Sequence, residues 1–245
     1  MKHILLLILS LICMAIEGQD FPYRHLPPIT IAPTEEASCM FFDKEGMMWV
    51  GTNAGVKSYD GYHVRTYKTN AYQPGILPNN TIRSIAEDHE DNLWLGTRNG
   101  LVRMNKRTGE FKTFFLPEES QRIIYTLFVS KDGTLWIGTD EGISFFNPKT
   151  ETFYTYNNKN AWLIDENGSR KKMPGYSVKA IIEDRNGDLL IGTWSSGLMR
   201  FRRGGNTFYR YPQLNATNSA YSLFLDKHQR LWVGTWGYGV VRLDN

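Results

Sequence analysis

The chain has 245 residues, of which 41% are hydrophobic and 22% are charged, and its formal net charge at pH 7 is +3. These proportions are those of a globular protein, and the length allows either one large all-β domain or two smaller domains. The weak net charge gives no support for binding to nucleic acid or to an anionic membrane surface, which requires clustered Lys and Arg. Aromatic residues make up 13% of the chain, a share that favours β-strands.

The N-terminal segment MKHILLLILSLICMAIEGQD has the features of a secretory signal peptide. Lys2 precedes an apolar run that is too short to span a bilayer comfortably, and polar residues follow it. We therefore predict a signal peptide over residues 1–18 and a mature periplasmic protein that is not inserted in the membrane. Cys13 would leave with the signal peptide, so Cys39 alone can form no internal disulfide.

One short pattern recurs five times along the rest of the chain. Its copies read MWVGTNAGV, LWLGTRNGL, LWIGTDEGI, LLIGTWSSGL and LWVGTWGYGV. A polar turn stands before each copy, and a short apolar strand such as SIAE, TLFV, AIIE or SLFL stands before four of those turns. A third strand and a fourth, such as FKTFF or FYTYN, follow the copy. Each unit therefore contains four short strands in roughly 40–45 residues, which is the size of one propeller blade.

These repeats predict an all-β protein, a β-propeller of about five four-stranded blades over residues 19–245. The predicted repeats lie near residues 37–70, 81–116, 123–157, 177–212 and 219–245. We expect one large apolar residue before each Gly-Thr pair to fill the space between neighbouring blades. These residues are Trp49, Trp94, Trp136, Leu190 and Trp232. The Gly of each pair is expected to let neighbouring backbones approach closely, so the repeated pattern is interpreted as scaffold.

The two ends of the chain bear on whether the propeller ring closes. The fifth unit stops after its third strand, at GVVRLDN. In the N-terminal segment FPYRHL, Tyr23 and Leu26 have the spacing of Phe111 and Phe114 in a predicted outer strand. We predict that residues 21–26 supply the outer strand of the last blade and join the two ends. The alternative is an open array with an unpaired edge strand.

The loops between the second and third strands vary, and variable loops on a constant scaffold are a usual place for ligand binding. Aromatic rings there offer flat faces to sugar rings, and polar side chains offer hydrogen bonds to hydroxyl groups, whereas nucleic acid would need a basic groove beside the rings. The candidate ligand-binding residues are Arg98, Asn99, Asp140, Glu141, Trp194, Trp236, Tyr238 and, in a long interblade segment, Trp162. Trp194 and Trp236 directly follow Gly-Thr pairs, so packing against a neighbouring blade is an equally good interpretation.

Motifs for catalysis or metal binding are missing from the sequence. The histidines are scattered, and His89 and His228 lie in corresponding turns at the end of the units opposite the candidate loops. There is no His/Cys/Asp cluster with metal-ligand spacing, no Gly-x-Ser-x-Gly motif and no Gly-rich phosphate loop. We therefore expect a chain without enzymatic activity, metal or cofactor.

The core Asp-x-x-Gly-x-Leu-Trp-x-Gly-Thr, matched fully or partly in all five units, resembles the two-component regulator propeller repeat. That repeat is found in the periplasmic sensor regions of hybrid histidine kinases of gut Bacteroidetes, and FPYRHL resembles the strand that opens those sensors. The resemblance implies glycan sensing, in which an oligosaccharide binds and the signal passes through the membrane to a kinase. The family pattern is two stacked seven-bladed propellers followed by a further β-domain, whereas five units and no kinase segment appear here.

We therefore expect an exported oligosaccharide-binding propeller for signal transduction, a truncated or split sensor without its own kinase domain. Its expected partners are an oligosaccharide and either the rest of a sensor kinase or a second copy of the chain. Two alternatives remain open. One is a secreted propeller enzyme, a lyase or hydrolase acting on polysaccharide, and the other is a protein-interaction platform.

Overall fold

The computed structural model describes residues 34–72, 74–165, 167–211, 214 and 219–243. Contacts divide the chain into two units, Met1–Thr30 and Ile31–Asn245, and all described residues belong to the second. The predicted signal peptide at 1–18 and the predicted closing strand at 21–26 lie outside the described residues. Across the described ranges, no helix is both long enough and apolar enough to cross a membrane.

The described residues form five β-sheets, and each sheet corresponds to one sequence repeat. The first three sheets contain β1 (Ala37–Phe42), β2 (Met48–Thr52), β3 (Gly55–Tyr59) and β4 (Val64–Tyr67); β5 (Ile82–Glu87), β6 (Asn92–Thr97), β7 (Gly100–Asn105) and β8 (Phe111–Phe114); and β9 (Ile124–Val129), β10 (Leu135–Thr139), β11 (Gly142–Asn147) and β12 (Thr152–Tyr156). The last two contain β13 (Trp162–Ile164), β14 (Arg170–Lys172), β15 (Val178–Glu183), β16 (Leu189–Thr193), β17 (Gly197–Phe201) and β18 (Thr207–Arg210); and β19 (Ala220–Leu225), β20 (Leu231–Thr235) and β21 (Gly239–Leu243). A short 3-10 helix, Glu119–Gln121, precedes β9.

The sheets are arranged as the blades of a propeller. Within each repeat the consecutive strands are antiparallel neighbours, so the strand order across the sheet follows the chain. The first strand of each blade contacts the first strand of the next, in the series β1, β5, β9, β15 and β19. This arrangement confirms the predicted all-β propeller of five blades. The fifth blade has three strands among the described residues.

The fourth blade is wider than the repeat predicts. The interblade segment expected to be a loop contains the hairpin β13–β14, and β13 pairs in parallel with β18, at the outer edge of the sheet. The sheet therefore has six strands, in the order β14-β13-β18-β17-β16-β15. This hairpin carries Trp162 away from the inner strands of its blade.

Strand register separates two ends of each blade. Ala37, at the start of β1, lies opposite Thr52, and Phe42, at its end, lies opposite Met48. The turns that follow the Gly-Thr pairs therefore lie beside the beginnings of the inner strands, and we call this the Gly-Thr end. The turns that begin at Asp43, Asp88, Ser130, Asp184 and Asp226 lie at the opposite end, which we call the Asp-turn end.

The Gly of the repeated pair is required by close contact between blades. A Cβ atom at Gly96 would stand 2.6 Å from a methyl carbon of Ile124, and one at Gly138 would stand 2.7 Å from Val178. At Gly192 the obstacle is the carbonyl oxygen of Ala220, at 2.7 Å. All three obstacles belong to the inner strand of the next blade. The predicted close approach of neighbouring backbones is therefore confirmed.

In the first four blades, the large residue before the Gly-Thr pair packs against the following blade, as predicted. The Trp94 ring lies 5.4 Å from Phe146 of the third blade, and the Trp136 ring lies 5.8 Å from Phe201 of the fourth. Leu190 joins an apolar cluster with Leu231 of the fifth blade. These contacts are buried, so each blade completes the core of the next.

The same tryptophans are held by the carboxylate that starts each Asp turn. Trp94 donates its Nε1–H to Asp88 Oδ2 at 2.8 Å, and Asp88 Oδ1 accepts the backbone N–H groups of Glu90 and Asn92. The first and fifth blades repeat this arrangement, with Asp43 below Trp49 and Asp226 below Trp232. One carboxylate therefore closes the turn and satisfies a polar atom that its blade would otherwise bury unpaired.

The two blades that depart from this pair show what each half contributes. In the third blade Ser130 replaces Asp, and Trp136 Nε1 is buried without a hydrogen-bond partner. In the fourth blade Leu190 replaces Trp, and Asp184 instead faces Arg200, at 3.5 Å. The third-blade indole therefore lacks the acceptor that Asp supplies in other blades, whereas Asp184 keeps its role in the turn, since its Oδ1 accepts the backbone N–H groups of Asn186 and Asp188.

The blades at the two ends of the series expose apolar side chains that the inner blades bury. Val240 is 68% exposed, whereas the residue at the same repeat position is fully buried in the other four blades. Those four residues are Val56, Leu101, Ile143 and Leu198. Phe224 in the fifth blade and Met40 and Phe42 in the first are also exposed. The outward faces of the first and fifth blades thus retain apolar surface.

We predict that Asp88→Ala lowers the free energy of unfolding by about 1–3 kcal/mol, because the buried Trp94 N–H and two turn N–H groups lose their acceptor. Urea unfolding followed by fluorescence measures the change. Glu90→Ala, in the same turn but exposed, is the control and should change stability by no more than about 0.5 kcal/mol. Equal effects of the two substitutions would contradict the role assigned to Asp88.

A second prediction compares two valines at one repeat position. Val56→Ser should lower the free energy of unfolding by about 2–4 kcal/mol, since it removes buried apolar surface and buries a hydroxyl group. Val240→Ser should change it by no more than about 0.5 kcal/mol because Val240 is exposed. A loss at Val240 as large as that at Val56 would mean that another surface covers the fifth blade in solution.

Candidate functional site

Two positions of each repeat meet at the Gly-Thr end. The first is the second residue of the inner strand, and the second is the residue that directly follows the Gly-Thr pair. In chain order the first set is Ser38, Arg83, Tyr125, Lys179 and Tyr221, and the second set is Asn53, Arg98, Asp140, Trp194 and Trp236. Unlike the buried repeat positions, these two vary in chemistry from blade to blade. We call the surface that they form the mouth.

The fourth and fifth blades contribute an aromatic cluster to the mouth. The Trp194 and Trp236 rings are 5.6 Å apart, and the Tyr221 ring lies 6.1 Å from Trp194 and 5.9 Å from Trp236. All three are substantially exposed, at 39%, 64% and 47% for Trp194, Trp236 and Tyr221. Exposed rings packed edge to face leave apolar faces toward solvent, which is an arrangement suited to a ligand with its own apolar face.

Backbone hydrogen bonds fix the loops that carry the two tryptophans. Trp194 N–H donates to Ser177 O at 2.8 Å, and Trp236 N–H donates to Ser219 O at 3.1 Å. The Thr of each Gly-Thr pair closes its turn, since Thr193 Oγ1 donates to Gly197 O at 2.8 Å. Ser195 N–H reaches Ser219 Oγ in the next blade at 3.0 Å. The aromatic cluster therefore stands on short, well-connected turns.

The second, third and fourth blades contribute a charged cluster centred on Tyr125. Arg83 and Lys179 both contact the Tyr125 ring, with the guanidinium carbon 4.8 Å and the ammonium nitrogen 3.1 Å from its centroid. The Tyr125 hydroxyl donates to Asp140 Oδ2 at 3.0 Å. Lys179 Nζ is 4.0 Å from Asp140, and its side chain is largely buried. Both cations are thus held against an aromatic face, and Lys179 also lies near a carboxylate.

The environment changes the protonation of this cluster in two ways. Burial raises the pKa of the Tyr125 hydroxyl, and its hydrogen bond to the Asp140 carboxylate raises it further. Burial lowers the pKa of Lys179, with the neighbouring Arg83 charge acting in the same direction and Asp140 opposing both. The raised pKa keeps Tyr125 a neutral donor at neutral pH, whereas burial disfavours the charged form of Lys179.

Ser177 connects the aromatic cluster to the charged cluster. Its carbonyl oxygen accepts the Trp194 N–H, and its hydroxyl donates to Asp140 Oδ1 at 2.8 Å. Both oxygens of Asp140 are therefore occupied, one by Tyr125 and one by Ser177. Ser177 is thus in contact with one residue of each cluster.

The remaining predicted site residues fall into two groups. Arg98, Asn99, Glu141 and Tyr238 lie in the turns at the Gly-Thr end, and the positive charge of Arg98 acts on Tyr125. Trp162 is not brought to the mouth. It pairs with Thr207 and Lys172 on the outer edge of the fourth blade, with Lys172 Nζ 3.9 Å from the centre of its ring.

Sequence reasoning missed the whole first set of mouth residues, of which Arg83, Tyr125, Lys179 and Tyr221 belong to the two clusters. All four occupy the second position of an inner strand, where the sequence of one repeat alone shows only ordinary strand alternation. The signal that identifies them is a comparison of that position across the repeats, because it changes from Ser to Arg, Tyr, Lys and Tyr while its neighbours stay apolar or small.

The Asp-turn end offers a competing cleft of about 480 Å³ between the second and third blades. Its lining includes Asp88, His89 and Asp132. Asp88 already accepts the Trp94 and turn N–H groups, and Asp132 pairs with Arg203. In the described part of the chain, no group of three or more His, Cys, Asp and Glu residues could hold a metal ion. We therefore place the candidate site at the mouth.

Comparison with known protein families gives five matches to the two component regulator propeller family. They cover residues 32–54, 76–99, 118–141, 172–195 and 215–237, which means that each match spans the two inner strands of one blade. A search of the curated proteins finds no match.

Solved structures with similar folds include sensor domains and an enzyme. The extracellular domain of the putative hybrid two component system BT3049 from B. thetaiotaomicron is 20% identical, with a TM-score of 0.53 over 91% of this chain and 35% of that one. The corresponding domain of BT4673 from the same organism is 22% identical, with a TM-score of 0.41 over 87% of this chain and 38% of that one.

A catalytically inactive virginiamycin B lyase from Staphylococcus aureus is 16% identical, with a TM-score of 0.65 over 90% of this chain and 69% of that one. At these identities the structural likeness shows the fold alone. The chain spans little more than a third of the two sensor domains. The family assignment rests on the repeats themselves, since every blade carries one match. The chain therefore belongs to the family of proteins built from two component regulator propeller repeats.

Proposed function

We propose that this chain is an exported ligand-binding propeller that recognises an oligosaccharide at the mouth and serves as a sensor module for signal transduction. The observation that carries the proposal is the exposed cluster of Trp194, Trp236 and Tyr221 on two neighbouring blades. Large aromatic side chains on the surface of a soluble protein mark interaction sites more often than chance exposure. The family assignment and the extracellular origin of the similar sensor domains support export and sensing.

The geometry suits sugar rings for two reasons. One face of a pyranose carries C–H groups and stacks on an aromatic ring, while its hydroxyl groups need polar partners at the edge. The rings of the aromatic cluster supply the stacking surface. Ser177, Asp140 and Tyr125 supply hydrogen-bond donors and acceptors for the hydroxyl groups. Signalling would then require a partner. This partner is either a kinase, on a continuation of this chain or on a separate protein, or a second copy of the chain.

A secreted enzyme acting on polysaccharide is the second candidate, favoured by the fold similarity to a lyase. The described histidines argue against it. His63, His89 and His228 all lie in turns at the Asp-turn end, away from the mouth. The charged cluster at the mouth has Lys179 and Tyr125 as proton-transfer groups, but Tyr125 is tied to Asp140 and its pKa is raised. Binding without turnover is the better-supported function.

Thermal unfolding with a panel of plant, host and microbial oligosaccharides tests the proposal. A ligand at a hundredfold its dissociation constant adds about 2.7 kcal/mol, which raises the Tm of a domain of this size by roughly 5–10 °C. Chromatography of the same samples should show the sugar unchanged. A Tm shift accompanied by product formation would support the enzyme instead, and a protein partner captured independently of sugar would support the interaction platform.

We predict that Trp236→Ala weakens binding of the identified sugar at least tenfold and leaves the Tm of the free protein nearly unchanged, because its side chain is 64% exposed. Trp162→Ala is the matched control, since it removes the same side chain from the outer edge of the fourth blade. Isothermal titration calorimetry measures both variants. A larger loss for Trp162→Ala than for Trp236→Ala would move the binding site to the β13–β14 hairpin.

A further inference from the structure

The charged half of the mouth bears on the chemical class of the ligand. Arg83 and Arg98 come from the second blade and Lys179 from the fourth, on either side of Tyr125 in the third. Arg83 and Lys179 contact the Tyr125 ring, and the charge of Arg98 acts on its hydroxyl group. Asp140 is the carboxylate near Lys179, and Tyr125 and Ser177 already donate to its two oxygens. Glu141, the next residue, is exposed in the same turn. The mouth therefore carries more positive charge than its own carboxylates neutralise.

This imbalance is costly in the free protein. Lys179 is largely buried, its distance to Asp140 is 4.0 Å, and the neighbouring Arg83 repels it. Arg83 Nε is buried without a hydrogen-bond partner. Buried cations are normally paired, so Lys179, which reaches its carboxylate only at 4.0 Å, and Arg83, whose buried Nε has no hydrogen-bond partner, have unused capacity for an anion.

We propose that the oligosaccharide bound at the mouth is acidic and carries a carboxylate or sulfate group that pairs with Arg83, Lys179 and Arg98. This inference rests on the proposed function. The aromatic cluster stacks one sugar ring, and the anionic group lies toward the blades on the other side of Ser177. Ser177, which contacts both Trp194 and Asp140, links the two interactions. A guanidinium group binds either carboxylate or sulfate oxygens through parallel N–H donors.

A nucleic acid strand would also present anions beside stacked bases. It would place a phosphate at every nucleotide, and it needs a basic groove that continues along the strand. The cations of the mouth are confined to one side of it, and the other side is aromatic. One localised anionic group next to a stacked ring fits this division better.

The test measures binding of matched pairs of sugars by calorimetry. Oligogalacturonate, oligomannuronate and hyaluronan oligosaccharides are each compared with their carboxyl-reduced neutral forms, and chondroitin sulfate and heparin oligosaccharides with their desulfated forms. We expect at least one acidic sugar to bind tenfold or more tighter than its neutral form. This advantage should shrink when the salt concentration rises from 50 to 500 mM, because ions screen the charge interaction. The uronates and the sulfated sugars distinguish carboxylate from sulfate recognition.

Variants then connect the preference to the named residues. The double variant Arg83→Gln/Lys179→Met should lose the preference for the acidic form while retaining binding of the neutral form. Lys179→Arg, which conserves the charge, should keep the preference. Lys149→Gln, an exposed lysine at the Asp-turn end, is the surface control and should behave like the unchanged protein. Thermal unfolding of each variant confirms that it is folded.

The outcomes separate the two proposals. If neutral sugars bind as tightly as their acidic forms, the inference of an acidic ligand is wrong and oligosaccharide binding stands. If no sugar of either kind binds, both proposals are wrong. If a single-stranded oligonucleotide binds more tightly than every acidic sugar, the anion belongs to a nucleic acid and the inference is also overturned.

Discussion

The distance between neighbouring blades is the constraint on which the rest of this structure depends. At the Gly of the repeated pair, the inner strand of the next blade comes so close that a Cβ atom would overlap it. The atoms that such a Cβ would meet belong to Ile82, Ile124, Val178 and the Ala220 carbonyl group. Four successive interfaces share this contact. It places the second strand of one blade directly against the first strand of the next, and every larger packing contact between blades follows from that spacing.

The same spacing builds the mouth. The Gly of each pair in the first four blades contacts the first residue of the next inner strand. The residue after the Gly-Thr pair therefore lies beside the start of that strand, near its second residue, which belongs to the mouth. Asp140 of the third blade therefore meets Ser177 and Lys179 of the fourth. Trp194 of the fourth blade meets Tyr221 of the fifth in the same way. The contacts that join neighbouring blades in the candidate site are thus positioned by a glycine that is itself part of the scaffold, while Tyr125–Asp140 and Tyr221–Trp236 are contacts within one blade.

Much of the fold was predictable because the same sequence pattern occurs five times, once in each blade. The strands, the Asp turns, the tryptophans between blades and the close approach at Gly all follow from letters that recur at fixed spacing. Trp162 shows where this reasoning fails. Its segment occurs once, so its pairing in parallel with β18, a contact between residues far apart in the sequence, has no counterpart in the other units. The candidate site was half predictable, since the turn residues stand out while Arg83 and Lys179 look like ordinary strand residues.

The two ends of the blades differ in how their charged residues are paired. At the Asp-turn end, the Lys44 and Lys131 N–H groups donate to Glu87 and Glu183 of the next blade, at 2.9 and 2.8 Å. Lys106 there lies between Asp43 and Glu87, so its charge is balanced within the protein.

At the Gly-Thr end the cations are not balanced in this way, and the aromatic rings remain exposed. The charge of Lys106 at the Asp-turn end is balanced by two carboxylates, whereas Lys179 at the Gly-Thr end has one carboxylate at 4.0 Å. The stability of the fold does not explain this difference. The imbalance is therefore best understood as a property of the site, because a bound anion supplies there what Asp43 and Glu87 supply to Lys106.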